Sequence, residues 1–378
     1  MTIYDFLKLA NADEYDFSDD GAGEAYHELS DPMEKFYVYF ASKGKNTIKR
    51  ETDNFMNDYR EDCEQLVKQY GNIKDPDSGS DLLQKFYVEL WDEKNLKDCK
   101  KGERICGETM NSANTTLGAW YTELETGLQK KEREELKNPS QTISNKYILS
   151  RYLQDKEGQK KLLGKKCLFF LSVYHTLGNF IPVPVDCNCP RGLGVLADYW
   201  DLTLKVIYDY YMGDDHISDI TGKSDKLVQR YKNWLDSFIE EGDNGFDSWA
   251  HFVEKNYMQD FVETNSAGGY GMPKELWKDH FSQFSYGDAK PINERQIKEF
   301  YINASAWIMR RSNRMIRELE HRDVIETNNL IIKYTKEFEE KRSDPLFMKK
   351  LEEEMRIANE NLMEPFEGYE KDSFFDRN

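Results

Sequence analysis

Ile297 to His321, IKEFYINASAWIMRRSNRMIRELEH, is the stretch whose spacing decides the fold. Ala304, Ile308, Arg311 and Met315 fall at i, i+4, i+7 and i+11, which is one stripe of an α-helix. The periodicity therefore predicts a long helix with its apolar side turned to a core. Arg310, Arg314, Arg317 and His321 repeat the same spacing along another side, gathering three cations and a titratable imidazole. Arg311 stands inside the apolar stripe, and a buried guanidinium needs a carboxylate or a bound anion. Asp198 and Asp201 are its expected partners, because a carboxylate accepts the two parallel hydrogen bonds of the guanidinium fork.

Working outward, the same spacing recurs. Phe55, Tyr59, Cys63, Leu66 and Tyr70 form one stripe, and Leu82, Leu83, Phe86, Tyr87, Leu90 and Trp91 form another. The second follows the turn formers Asp75-Pro76-Asp77-Ser78-Gly79-Ser80, where Ser80 or Asp77 supplies the N-cap. Leu162 to Tyr174 reads as a buried helix that ends in a loop of Gly178, Pro182 and Pro184. A helix from about Val195 to Tyr211 turns Leu202, Ile207 and Tyr211 inward and carries Asp198, Asp201, Lys205 and Asp209 along one side. Leu227 to Phe238 and Trp249 to Phe261 complete the helical set. The expected fold is mainly α: a helical single domain over 69–322, with a few short strands or hairpins around 99–145, where apolar periodicity fails. Residues 1–68 read as a peripheral helical extension, and 323–378 as a charged helical C-terminal arm.

Charge narrows the partners. The chain carries 52 basic and 70 acidic residues, a formal net charge of −18, which repels nucleic acid and anionic lipid except at a local basic pocket. The longest candidate apolar stretch, Cys167 to Val173, is far below the roughly 20 residues that cross a bilayer, so no membrane role is expected. The opening residues Met1 to Phe6 show no secretory pattern, and a cytoplasmic location with reduced thiols is expected. Cys187-Asn188-Cys189 matches neither a zinc spacing nor a redox pair, so no metal site is assigned, and no cofactor is named by the residues. Gly268-Gly269-Tyr270-Gly271 reads as a flexible turn, since no flanking strand and helix mark a phosphate loop.

Asp75-Pro76-Asp77-Ser78-Gly79-Ser80, Thr176-Leu177-Gly178, Asn188 with Arg191-Gly192, and Asp201-Leu202-Thr203-Leu204 follow one another in an order that resembles a bacterial domain family of unknown function. In that family a D-P-D-x-x-S start and an L-W pair precede T-I-G, N-x-x-R-G, D-x-x-D-L-T-L and R-N-x-R-I segments. The last reads here as Arg311-Ser312-Asn313-Arg314-Met315, with both arginines in place and the asparagine displaced by one. The resemblance covers about residues 69 to 320 and implies membership and fold, not a reaction.

Two readings of function stay open. In the first, the chain is an enzyme directed at RNA or a nucleotide, of bacterial toxin or phage-defence type. Arg311 and Arg314, with Asn179 and Arg191, hold the substrate, and His175, Asp198, Asp201 and His321 are the candidate catalytic groups. The Arg314 to His321 spacing resembles that of a class of helical ribonucleases. His175, Gly178, Asn179, Asn188 and Arg191 look like the second half of an HNH-type nuclease motif, though no histidine stands in 145–166 to supply its metal-binding half. In the second reading the chain is a non-catalytic binding or regulatory module. Its Arg and Asp groups are then a structural network, and its acidic surface or C-terminal arm meets a protein partner. His27, His216, His251 and His280 are scattered and point to no shared site.

Overall fold

The structure is a computed structural model that describes residues 16–19, 24–29, 34–36, 38–39, 64–71, 73, 75–112, 166–187, 196, 199–285, 289–291 and 293–321. The described part is mainly helical, as expected. The principal helices are α1 (Asp81–Leu90), α2 (Trp200–Tyr211), α3 (Asp225–Asp236), α4 (Gly245–Lys255) and α5 (Glu294–His321). The C-terminal arm and most of the stretch expected to be helical between 48 and 70 lie outside the described residues; of the latter, 64–70 are helical.

Each helix follows from its apolar spacing and its cap. Ser80 caps α1, its Oγ accepting from the Leu83 N–H at 3.0 Å, and Leu82, Leu83, Phe86, Tyr87 and Leu90 are buried. Leu202 to Leu204, Val206, Ile207 and Tyr211 are all buried on α2, which makes it a central helix covered on most sides. Asn244 and Asp247 form a capping box at the start of α4, and Trp249, Phe252 and Val253 turn inward from it. There the Phe252 ring meets Trp234 at 5.7 Å and Phe238 at 5.2 Å. At 28 residues α5 is about 42 Å long, and it buries Ile297, Phe300, Tyr301, Ala304, Ile308, Arg311 and Met315 along one face.

Among the described residues, strands appear as three antiparallel pairs. Lys100–Lys101 (β1) pairs with Arg104–Ile105 (β2), inside the region expected to hold them. Gly107–Thr109 (β3) pairs with Phe180–Pro182 (β4), so the loop after the buried helix becomes a short strand. Val262–Thr264 (β5) and Tyr270–Pro273 (β6) form a hairpin directly after Phe261, the residue to which the preceding helix was expected to run. The helix stops at Lys255 because Tyr257 takes the left-handed conformation, φ 59°, and the chain then turns through a 3-10 segment at Gln259–Phe261. Gly268, at φ 84°, makes the turn of this hairpin, and Asn265 Oδ1 accepts from the Ala267 and Gly269 amides.

Several described residues of the N-terminal segment, expected to be peripheral, are buried. Phe17 is 1% exposed within the main core, its ring edge-on to Phe86 and to Phe180, each at 5.8 Å. Tyr26, Val38, Tyr39 and Ile73 form a second cluster. A few large aromatic side chains bury enough apolar area to dock a short segment that periodicity alone leaves outside. No helix among the described residues is long and apolar enough to cross a membrane.

Candidate functional site

The turn at residues 174–180 is held against α5 by close approach and by Arg311. Gly178 is the contact point: its N–H donates to Ser312 Oγ at 2.6 Å, and a Cβ there would lie 1.9 Å from the Ile308 carbonyl oxygen. Only glycine fits. Arg311 is 0% exposed, as its stripe predicts. Its Nη1 donates to the carbonyls of Gly178 (2.8 Å) and Phe180 (2.7 Å), and its Nε donates to that of Asn256 (2.9 Å). The expected pairing with Asp201 does not form, because carbonyls of the turn and of the α4 end occupy the guanidinium instead. Nη2 has no hydrogen-bond partner. Burial without a carboxylate pushes the Arg311 pKa down to about 9, so the group stays charged at neutral pH.

Three of the segments that carry the family resemblance, around Trp91, 176–178 and 311–315, meet here. Trp91 Nε1 donates to Asn256 Oδ1 at 3.0 Å, which ties the end of α1 to the residue whose carbonyl holds Arg311. Asn179, expected to touch substrate, is fully buried and spends its side chain inside the protein. Its Oδ1 accepts from Asn111 N at 2.9 Å, and its Nδ2 donates to the carbonyls of Asn111 (3.0 Å) and Tyr174 (2.8 Å). Such a turn has carbonyls and amides that no helix or strand satisfies, and Asn and Arg side chains supply the missing partners.

Asp201 lies on a different contact. Its Oδ2 meets His280 Nδ1 at 2.5 Å and accepts from Leu276 N at 2.9 Å, and its Oδ1 accepts from Leu202 N at 2.9 Å. His280 Nε2 meets the Ala289 carbonyl at 3.2 Å, and its ring stacks on Trp277 with centroids 3.5 Å apart. Both side chains are 0% exposed, and each ring nitrogen already faces an acceptor. The pair staples α2 to the 276–289 segment and has no face for a substrate. His280 carries no periodic signal, and the carboxylate it meets lies 79 residues away rather than at its neighbours Glu275 or Asp279, so its role is not readable from the local sequence.

Of the two predicted catalytic side chains among the described residues, His175 and Asp201, His175 keeps an unspent polar atom. Its Nδ1 stands 3.6 Å from Asp16 Oδ1, the residue is 4% exposed, and Nε2 has no hydrogen-bond partner. Rings of Tyr39 and Tyr174 lie at 4.5 Å from it. Asp16 also accepts from the Ser18 amide at 2.8 Å and pairs with Lys35 at 3.3 Å. Burial raises the Asp16 pKa, but Lys35, His175 and Ser18 outweigh it and hold the carboxyl well below the usual carboxylate range.

Arg314 and its neighbours lie outside. Arg310, Arg314 and Arg317 are exposed on α5, and Arg314 Nε pairs with Asp260 Oδ2 at 2.7 Å. His321 closes the helix with a side chain outside the described residues; Asn188, Arg191 and Asp198 lie outside them altogether. Burial pushes the thiols of Cys167 and Cys187 up to about 12 and raises those of Cys99 and Cys106, so none of these four is a thiolate at neutral pH. Among the described residues no group of three or more His, Cys, Asp or Glu side chains is arranged to hold a metal ion.

A family model described as a family of unknown function (DUF6994) matches residues 54–315. No curated protein and no solved structure matches the chain.

Proposed function

Since the chain belongs to DUF6994, a family of unknown function, we propose from its own geometry that it is a non-catalytic binding or regulatory module that meets a protein partner through its surface. One observation carries the reading: Arg311, expected from the sequence to hold substrate, is 0% exposed and is taken up by the carbonyls of Gly178, Phe180 and Asn256. Asp201 is likewise consumed by His280 and two backbone amides. A substrate reaching these groups would have to open the core, and several buried hydrogen bonds oppose that.

The second reading, an enzyme acting on RNA or a nucleotide, draws on the His175 and Asp16 pair, whose imidazole keeps Nε2 unspent. A single screen separates the two. The purified full chain, with an Arg314→Ala, His321→Ala variant and a His175→Gln variant, is incubated with RNA, single-stranded DNA and nucleotides, with and without divalent cations. The binding reading expects no turnover by any of the three. Turnover by the parent that either variant abolishes while keeping its thermal transition would install the enzyme reading and name its site.

A further inference from the structure

We infer that the acidic groove between the end of α2 and the turn leading into α4 docks a basic amphipathic segment of a partner protein. The groove has a volume of about 390 Å³ and is lined by Tyr210, Asp215, Ile239, Asp243 and Ser248 among others. That is room for one anchoring side chain of the size that dominates interface energies. The inference rests on the reading of the chain as a binding module and adds where it binds and what it binds.

The groove is built, not incidental. Gly245 brings the first turn of α4 against the end of α2 so closely that a Cβ would lie 2.2 Å from the Tyr211 carbonyl oxygen. The capping box of Asn244 and Asp247 fixes the turn before α4. Asp243 accepts from Glu240 N at 2.9 Å and meets His251 Nδ1 at 3.0 Å, which holds the far wall. On the near wall Tyr210 donates to Asp236 at 2.7 Å, and Asp215 pairs with Lys232.

Charge and apolar exposure together select the occupant. Asp214, Asp215, Asp236, Glu240, Glu241 and Asp247, which line the groove or stand close in sequence to its lining, are exposed, and Lys232, the cation that meets the lining Asp215, is taken up by that pair. A nucleic acid or an anionic membrane is repelled by such a rim, whereas lysine or arginine is drawn to it. Four large hydrophobic side chains are exposed among the described residues. One of them, Ile239 at 42%, is in the lining, and a second, Phe246 at 56%, follows the lining Gly245 at the start of α4. A purely ionic partner would leave these in water; a basic segment with an apolar face covers them.

The test uses the full chain and three labelled synthetic peptides: lysine and leucine at helical spacing, the same pattern with lysine and serine, and the same pattern with glutamate and leucine. Binding is read by fluorescence anisotropy at physiological ionic strength. The lysine and leucine peptide is expected to bind saturably and at least about tenfold tighter than either of the others. An Ile239→Ser, Phe246→Ser variant should lose about tenfold in affinity, and Glu240→Gln, Glu241→Gln should flatten the salt dependence. The hydrogen-exchange footprint should fall on residues 210–215 and 239–248.

Equal binding of the serine peptide, an unchanged Ser variant or a footprint elsewhere overturns the inference. So does a concentration-dependent dimer lost in the Ser variant, which would make a second copy of the chain the occupant. Failure here with no turnover in the nucleic-acid screen removes the groove and leaves the binding reading standing. Turnover in that screen removes the reading itself.

Discussion

Arg311 and Arg314 sit three residues apart on α5 and live in opposite worlds. Arg311 is 0% exposed and holds three backbone carbonyls, whereas the Arg314 side chain is 44% exposed and holds one carboxylate, Asp260. The inner contact joins α5, the 174–180 turn and the end of α4; the outer one links a helix side chain to a surface residue. The carbonyls around Arg311 have no water to fall back on. The groups around Arg314 do, and that difference ranks the consequences of changing each.

The largest effect is expected at Arg311. Arg311→Met orphans three buried carbonyls at about 1 to 3 kcal/mol each, and removing a desolvated charge offsets only part of that. A net loss of about 4 kcal/mol is expected by chemical denaturation. Arg311→Lys keeps the charge and some of the donors but not the fork, and should cost about half as much. A Met variant as stable as the parent would break the comparison, since the carbonyls would then be finding other donors. Asp201→Ala on the second buried staple follows at about 3 kcal/mol, because it strands the Leu276 and Leu202 amides and the His280 ring in a site of zero exposure.

Gly178→Ala sharpens the same side of the comparison without touching a charge. The added methyl must displace the Ile308 carbonyl from 1.9 Å, which parts α5 from the turn and lengthens the Arg311 contacts. Overpacking of this kind costs about 1 to 3 kcal/mol. Parent-like stability would mean that the turn slides along α5 at little cost, and that the fold does not depend on this close approach.

The inward direction of Arg311 is legible in the spacing of Ala304, Ile308 and Met315, and so are the inner faces of α1, α2, α3 and α4. Its partners are not legible, because a carbonyl of Gly178 or Phe180 has no side-chain signature and lies more than a hundred residues away. For the same reason Asp201 reads as a mate for arginine, while His280, with no periodicity of its own, takes it. The β5 and β6 hairpin is hidden because Tyr257 ends α4 through a backbone conformation that its residue type does not announce. Phe17 and Asp16 reach the core and His175 through one aromatic contact set and one ion pair, too few residues to leave a repeating pattern.

Asp16 carries the comparison to a middle ground, half inside and titratable. Its folded pKa is depressed, so its contribution to stability is complete above the ordinary carboxylate value near 4 and is lost as pH falls below it. Asp16→Asn should lower stability at neutral pH by about 1 kcal/mol and make the fall in melting temperature between about pH 5 and pH 3 shallower than in the parent. A parallel pair of curves would detach Asp16 from His175 and Lys35.

The smallest effect belongs to the outer face. Arg314→Ala removes one ion pair between a side chain that is 44% exposed and a carboxylate that is 14% exposed. Exposed pairs of this kind contribute about 0 to 1 kcal/mol, because water and salt already screen both charges. A change of about 0.5 kcal/mol or less is expected, fading as salt is raised. A loss approaching that of Arg311→Met would place Arg314 inside the same cooperative unit as the buried hub, and the distinction between the two faces of α5 would collapse. A small loss leaves Arg310, Arg314 and Arg317 to be judged by what they bind, since the fold would then not need them.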